Sequence, residues 1–328
     1  MKAWLLDDFA GIEKLRLADA PDPRPAPSEA ILEVRFAAIN PADRYLAEKQ
    51  YPAHPPLPHI LGRDGMGTIV ELGLSSTTYQ VGQRVIVLRG EVGVSRWGTL
   101  AEQVAVPVES LAPVPDGWKD EEAAGAPLVY LTAYQALTQW DALPPSVVLI
   151  SGASGGVGVA AVQLARAMGH VVIALSRDAD KRLRLKELGA SEAFDPSDPT
   201  WRNQLKDRLG QRRVDLVIDS IGGTLLPEMI EMLGMNGKVS VVGRLAGPVP
   251  QFNTAALFFR RIRMGGVAVG TYSPPETQRV WQQVLGLLTS TGARPLVDRV
   301  FPFQRLLDAF GRLKQGPMGK VLIQVHAS

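Results

Sequence analysis

An apolar, β-branched run stops at a glycine cluster, and a helical pattern begins at once. The stretch is Val147-Val-Leu-Ile-Ser-Gly-Ala-Ser-Gly-Gly-Val-Gly158, continuing as Val159-Ala-Ala-Val-Gln-Leu-Ala-Arg-Ala-Met-Gly169. This strand–turn–helix setting is the one in which a glycine fingerprint signals dinucleotide binding. Gly155 lets the backbone approach a pyrophosphate, and Gly158 lets the helix pack closely on the strand. Ser154, Gly155, Gly156 and Val157 are expected to hold the pyrophosphate through backbone N–H groups, where the helix dipole presents its positive end. Ala153 stands where the strict pattern has its first glycine, so the fingerprint is a variant. It gains weight because a second apolar strand follows where the unit requires one.

That strand is His170-Val-Val-Ile-Ala-Leu-Ser176, followed by Arg177-Asp-Ala-Asp-Lys181. An NAD-selective site usually has Asp or Glu at this strand end, to grip the ribose 2′-hydroxyl. Here the end is Ser176-Arg177. Serine can hydrogen-bond a phosphate, arginine can clamp one, and Lys181 adds a charge one turn later. Asp178 reads as the N-cap of the next helix. The expected cofactor is therefore NADPH rather than NADH. The alternative is that Arg177 and Lys181 form a plain solvated helix start.

Its 328 residues suffice for two domains and a large core. A net charge of +2 gives no global field for nucleic acid, and Arg260-Arg261-Ile262-Arg263 reads as a solvated basic patch. The chain has no cysteine, which excludes disulfides, thiolate zinc sites and a cysteine nucleophile. Met1-Lys-Ala-Trp-Leu-Leu-Asp-Asp8 lacks the apolar core of a signal peptide, and no run approaches the ~20 apolar residues of a membrane span. A cytoplasmic location, with neither membrane nor nucleic acid as partner, is expected.

Strand candidates 30–36, 67–72, 84–88 and 101–106 make the first ~120 residues β-rich, while Pro21-Asp-Pro-Arg-Pro-Ala-Pro27 must be a loop. The period turns helical over 120–139. From residue 146 onwards strand and helix alternate, with further strands at 214–220, 237–243 and 262–269. Such alternation predicts a doubly wound parallel sheet. A helix near 303–314 and a last strand at 320–325 follow, and that strand is expected to return to the first domain. The division expected is 1–121, completed by 301–328, and 122–300.

Several stretches together resemble the zinc-free medium-chain dehydrogenase/reductases of quinone oxidoreductase type. They are Asn40-Pro-Ala-Asp43 with Tyr45 and Tyr51, Leu61-Gly-Arg-Asp-Gly-Met-Gly67, residues 125–134, the glycine turn and Asp219-Ser-Ile-Gly-Gly223. The resemblance implies a GroES-like catalytic domain, a Rossmann domain, a cleft between them and a homodimer. Zinc-containing relatives carry a cysteine near Asn40 and Gly-His-Glu where this chain has Gly62-Arg63-Asp64. Their metal site cannot be assembled here. His54 and His59, on one proline-rich loop, lack an evident third ligand.

The resemblance puts Tyr45 and Tyr51 near the nicotinamide, either able to donate to an acceptor oxygen. It puts Asn40 and Asp43 where they order that loop beside the cofactor, and Thr132 beside the nicotinamide. Arg63 could pair with Asp64 or Asp43, or reach an anionic substrate. Ile221, Gly243 and the 267–269 stretch, including Val267 and Val269, fall at C-terminal strand ends, the edge at which open α/β sheets bind ligands. Without a Lewis acid, an activated acceptor remains feasible: a quinone or an α,β-unsaturated carbonyl accepts hydride at carbon and moves charge onto oxygen. Two alternatives stay open. One is an enoyl-thioester reductase, acting on coenzyme A or acyl carrier protein esters. The other is a non-catalytic NADPH-binding sensor, structural or RNA-binding protein.

Overall fold

The chain divides into two units: residues 1–128 with 272–281 and 294–328, and residues 129–271 with 282–293. A computed structural model describes residues 1–75, 79–89, 91–141, 145–247 and 253–326.

The first unit begins with β1 (Lys2–Leu6), β2 (Arg16–Asp19), β3 (Glu29–Ala38), α1 (Pro41–Ala47), β4 (His59–Ile60), β5 (Asp64–Leu72), β6 (Arg84–Val87), β7 (Gln103–Pro107), β8 (Leu111–Pro113) and α2 (Asp120–Gly125), and α3 (Pro127–Thr138) follows along the chain. β3 is the hinge of its architecture. It pairs with β5 along its length and also takes β7, and its far end accepts a strand from near the other end of the sequence. Gly67 on β5 lies so close to β3 that a Cβ there would come within 3.2 Å of the Val34 Cα, beside a register shift at Val34–Phe36. A glycine at such a bulge permits the close approach that a side chain would prevent.

The second unit contains β9 (Val147–Ile150), β10 (Val171–Leu175), β11 (Glu192–Phe194), β12 (Val214–Asp219), β13 (Leu233–Val241) and β14 (Arg263–Gly266). They form one sheet in the order β11-β10-β9-β12-β13-β14, every pair parallel. In chain order this is 3-2-1-4-5-6, the doubly wound dinucleotide-binding arrangement. All four β9 residues are buried, as expected of a parallel strand covered on both faces. The chain then supplies β15 (Val297–Pro302) and β16 (Lys320–Gln324) to the first unit. There β16 pairs antiparallel with β3, so the larger sheet runs β15-β16-β3-β5-β6-β8.

The predicted GroES-like plus Rossmann organisation is therefore the observed one. Details differ. The sixth parallel strand is only Arg263–Gly266. Ile262 before it is 8% exposed and belongs to the core, while Val269 opens a 3-10 turn, Val269–Thr271. β11 was not foreseen, because three residues, Glu192-Ala-Phe194, carry no readable period. Nor were β1, β2 and β15.

Candidate active site

In the second unit the glycine turn lies at the C-terminal end of β9. It sits where strand order reverses, between β9 and β12. Gly152 takes φ +57, a left-handed conformation that favours glycine. Gly155 caps the twelve-residue helix α4 of this unit, Gly156–Ala167. A Cβ on Gly155 would meet only Gly152 O, at 3.5 Å, so the space beyond it is open to a ligand. A Cβ on Gly158 would come within 2.5 Å of the Ala153 Cα, which is the close helix–turn packing expected. The Gly155 amide, expected on the pyrophosphate, is used otherwise. The Gly155 N–H donates to Gly152 O at 3.0 Å, so this amide is committed inside the turn. Ser154, Gly156 and Val157 keep the helix-start position, where N–H groups lack intrahelical acceptors.

The neighbouring strand end carries Ser176, buried, and Arg177, exposed. Asp178 caps the following helix, Ala179–Leu188, by accepting from Lys181 N at 3.0 Å. Its carboxylate is drawn below the usual range chiefly by that amide, so it remains an anion committed to the helix. Lys181 is half-buried in the first turn. Arg182, which the sequence did not single out, donates from Nη1 to Ser176 O at 2.8 Å and Arg177 O at 2.9 Å, and lies 3.3 Å from Asp195 Oδ2. It ties down the backbone that presents the Ser176–Arg177 pair.

Asp219 is another residue whose role was not foreseen. Wholly buried at the end of β12, it accepts from Ser151 Oγ at 2.6 Å, Ile221 N at 3.0 Å and Gly222 N at 3.0 Å. Ser151 Oγ in turn accepts from Ser220 N at 3.0 Å. One carboxylate thus locks the glycine turn to the loop bearing Ile221. Gly243 N donates to Asp219 O at 3.2 Å, and Val267 N donates to Val241 O at 2.9 Å. The turn, Ile221, Gly243 and Val267 therefore share the C-terminal edge of the sheet, with Val269 in the turn that follows. Thr132 is half-buried on the helix Pro127–Thr138 of the chain. The basic run stays at the surface, with Arg261 and Arg263 exposed. Arg260 donates to Leu233 O at 2.6 Å, and Arg263 pairs with Asp141 at 3.5 Å.

In the first unit, Asn40, Asp43 and Tyr45 lie on or beside α1, a short helix with Pro41 at its start. Asn40 N donates to Asp43 Oδ2 at 2.7 Å, closing the helix entry. Asp43 is wholly buried, and that burial pushes its carboxyl up to about 6 against the pull of Arg63, the Asn40 amide and Lys320. Arg63 lies 3.7 Å from Asp43 Oδ1 and donates from Nη1 to Tyr51 Oη at 3.0 Å, so of its two candidate carboxylates it pairs with Asp43. Asp64 is held by Lys320, whose Nζ lies 3.0 Å from Asp64 Oδ2 and 2.7 Å from Asn40 Oδ1. Asn40 Nδ2 also donates to Asp64 Oδ2, at 2.9 Å, and Leu128 N donates to Asp64 Oδ1 at 3.0 Å.

His59 is a core residue rather than a loop residue. It is 1% exposed, pairs opposite Leu6, and burial pushes it down to about 4. His54 meets Phe9 edge to face. Trp97 donates to Pro58 O at 3.3 Å and packs on the core. Arg96 pairs with Glu29, and Arg89 donates to Tyr272 O at 3.1 Å.

Residues 26–116 match the family model of the alcohol dehydrogenase GroES-like domain, and residues 156–290 that of zinc-binding dehydrogenases. The chain is 31% identical to the rat (Rattus norvegicus) synaptic vesicle membrane protein VAT-1 homolog, over 98% of this chain and 84% of that one. It belongs to the medium-chain dehydrogenase/reductases of quinone oxidoreductase type. Accordingly it is an oxidoreductase by family. Quinone oxidoreductase of Lama guanicoe is 27% identical over 98% of this chain and 97% of its own. Among solved structures, an NAD-dependent alcohol dehydrogenase superposes with TM-score 0.90 at 29% identity, covering 99% of this chain and 100% of that one. A mycobacterial protein solved with NADPH superposes with TM-score 0.89 at 26% identity, again over 99% and 100%.

The zinc in the family description does not fit this member's residues. The chain has no cysteine, and arginine stands in the histidine slot. The carboxylate beside it is occupied by an ammonium. Among the described residues no group of three or more His, Cys, Asp or Glu is placed to hold a metal ion.

Proposed function

We propose that this oxidoreductase uses NADPH, works without zinc, and reduces a quinone or an α,β-unsaturated carbonyl. The observation that carries the reading is Lys320 Nζ seated on Asp64 Oδ2 at 3.0 Å and Asn40 Oδ1 at 2.7 Å. A cation built from the chain neutralises the carboxylate that a metal would need, so the acceptor must be one that needs no Lewis acid. Quinones and enones satisfy this, because their conjugated oxygen takes up the charge as hydride arrives at carbon.

NADPH, when bound, supplies the hydride. The chain's own groups then bind, orient and donate. The amides of Ser154, Gly156 and Val157 take the pyrophosphate at the start of α4. Gly155 contributes the missing side chain that leaves room for it. Ser176, Arg177 and Lys181 take the 2′-phosphate, with Arg182 bracing the backbone beneath them. Ile221, Gly243, Val267 and Val269 frame the rest of the cofactor by backbone and van der Waals contact, and Thr132 lies beside the nicotinamide. Asn40 and Asp43 order the loop that carries Tyr45 and Tyr51, either of which could donate to the acceptor oxygen. A phenolic hydroxyl carries one proton that it can donate. The mycobacterial relative solved with NADPH supports the cofactor, and the strand end without an acid supports it over NADH. The outer edge of β14 suits pairing with a second copy, which gives a homodimer.

The test is stopped-flow oxidation of NADPH against a panel of quinones, enones and simple aldehydes, with and without a chelator. Turnover of quinones or enones, unaffected by the chelator, is expected. Silence across the panel, or activity that the chelator abolishes, overturns the reading.

A further inference from the structure

Arg63 leaves the turn between β4 and β5 and reaches Tyr51 twice. Its guanidinium carbon lies 4.2 Å from the Tyr51 ring centroid, and its Nη1 donates to Tyr51 Oη at 3.0 Å. Its side chain is only 10% exposed. Nε faces Asp43 Oδ1 at 3.7 Å, while the other Asp43 oxygen is held by Asn40 N at 2.7 Å. Among the described residues Nε and Nη2 of Arg63 find no hydrogen-bond partner, so this cation is not there to satisfy donors. Among the described residues, the hydrogen bond it makes is the one to Tyr51.

A phenol has one proton to give and lone pairs that accept, whereas guanidinium can only donate. Once Tyr51 Oη accepts from Arg63, its own proton is left to donate elsewhere. A charge-assisted bond received on the oxygen also polarises that O–H and strengthens it as a donor. An acceptor oxygen that gains negative charge during reduction is what such a donor suits.

We propose that Arg63 is a positioning residue which, held by Asp43, presents the Tyr51 hydroxyl as the donor to the acceptor's oxygen. The inference rests on the reductase reading above and deepens it: the substrate class is one whose oxygen becomes an enolate or hydroquinone anion. Reduction by NADPH brings two electrons and a hydrogen to the acceptor carbon, and the π pair moves to oxygen. The Tyr51 O–H bond breaks as an O–H bond forms on that oxygen. The phenolate left behind lies against the guanidinium until water returns a proton.

The experiment uses 4-nitrophenol, whose anion absorbs in the visible and mimics the charged oxygen. It is titrated at a pH where both its forms are present, into the wild type, Arg63→Met, Arg63→Lys, Tyr51→Phe and Arg63→Met/Tyr51→Phe. The wild type should select the anion. Each single variant should bind it about tenfold to a hundredfold more weakly, and the double variant no more weakly than the singles. With quinone or enone, Arg63→Met should lower kcat by a similar factor and leave the KM for NADPH unchanged. Arg63→Lys keeps a buried charge without the planar fork, so it carries the test should the Met variant not fold. Unchanged phenolate binding in either Arg63 variant, or losses that multiply in the double variant, overturns the proposal. Quinone turnover without phenolate selection removes only the role of Arg63. Phenolate selection without turnover removes the reductase reading.

Discussion

The Lys320 ammonium and the Asp64 carboxylate, 256 residues apart in sequence, meet at 3.0 Å with side chains only 6% and 1% exposed. Two strands, β16 and β5, each bring one charge to the end of β3, where Asn40 bonds to both. Neither charge has access to water, so each depends on the other. Lys320→Met should therefore leave a buried carboxylate uncompensated and cost about 3–5 kcal/mol of stability. Urea unfolding at neutral pH reads this directly. A midpoint equal to the wild type's would show that Asp64 is neutralised by other means.

Two buried groups of the first unit make stability depend on pH in opposite senses. Asp43 is raised from 3.8 to about 6 by burial, so in that window the folded chain holds a proton that the unfolded chain has released. Its contribution is fully present below the unfolded value and is lost as pH rises through the folded one. His59 is lowered from 6.5 to about 4 by burial, reinforced by the Arg63 charge, and its contribution is present above 6.5 and lost as pH falls toward 4. Thermal midpoints taken from about pH 7 to about pH 5 against Asp43→Asn should show the wild type gaining on the variant as acid is added. Against His59→Gln the wild type should lose ground over the same range. A difference that stays flat in either pair would mean that the group does not titrate there.

Gly155 and Gly158 should separate binding from folding. Gly155 has φ −74 and only one atom within reach of an added Cβ, so Gly155→Val should fold, at about 1 kcal/mol for the poorer cap, and lose NADPH affinity. Gly158→Val drives carbon into the Ala153 backbone and should destabilise the second unit itself. Calorimetry with NADPH, paired with thermal melts, checks both. Full affinity in Gly155→Val would remove the phosphate from this turn.

Arg177→Glu tests the 2′-phosphate. One charged hydrogen-bonded contact is worth about 1.5–3 kcal/mol, so the KM for NADPH should rise by one to two orders of magnitude, and that for NADH much less. Equal changes for the two cofactors would refute the assignment.

The second unit was largely legible because its signals are local. The β9 run, the glycines and the Asp178 cap all lie within one strand–turn–helix and its successor, where period and turn chemistry operate over a few residues. The bracing groups were less so. Arg182 and Ser151 look like ordinary polar residues, and only the fold shows that their partners are Ser176 O and Asp219. Lys320 was illegible for a deeper reason. A lysine opening an apolar strand reads as a solvated end, and nothing near it in sequence tells of Asn40 or Asp64. Arg63 was noticed as a departure from the zinc-binding pattern, but its choice between Asp43 and Asp64 depended on Lys320 having already taken Asp64. His59 was misread as a loop residue because β4 is two residues long and follows a proline-rich stretch.

Because β16 lies between β15 and β3, the sheet begun by the earliest-made strands stays open until the ribosome has delivered residue 324. The nucleotide-binding half, assembled from strands that follow one another, can close while translation continues. The first unit must wait with part of the β3 edge bare. Its exposure lasts for the synthesis of roughly two hundred further residues, tens of seconds at ordinary elongation rates. Chaperone demand should therefore fall on the strands of the first unit while β16 is still to come.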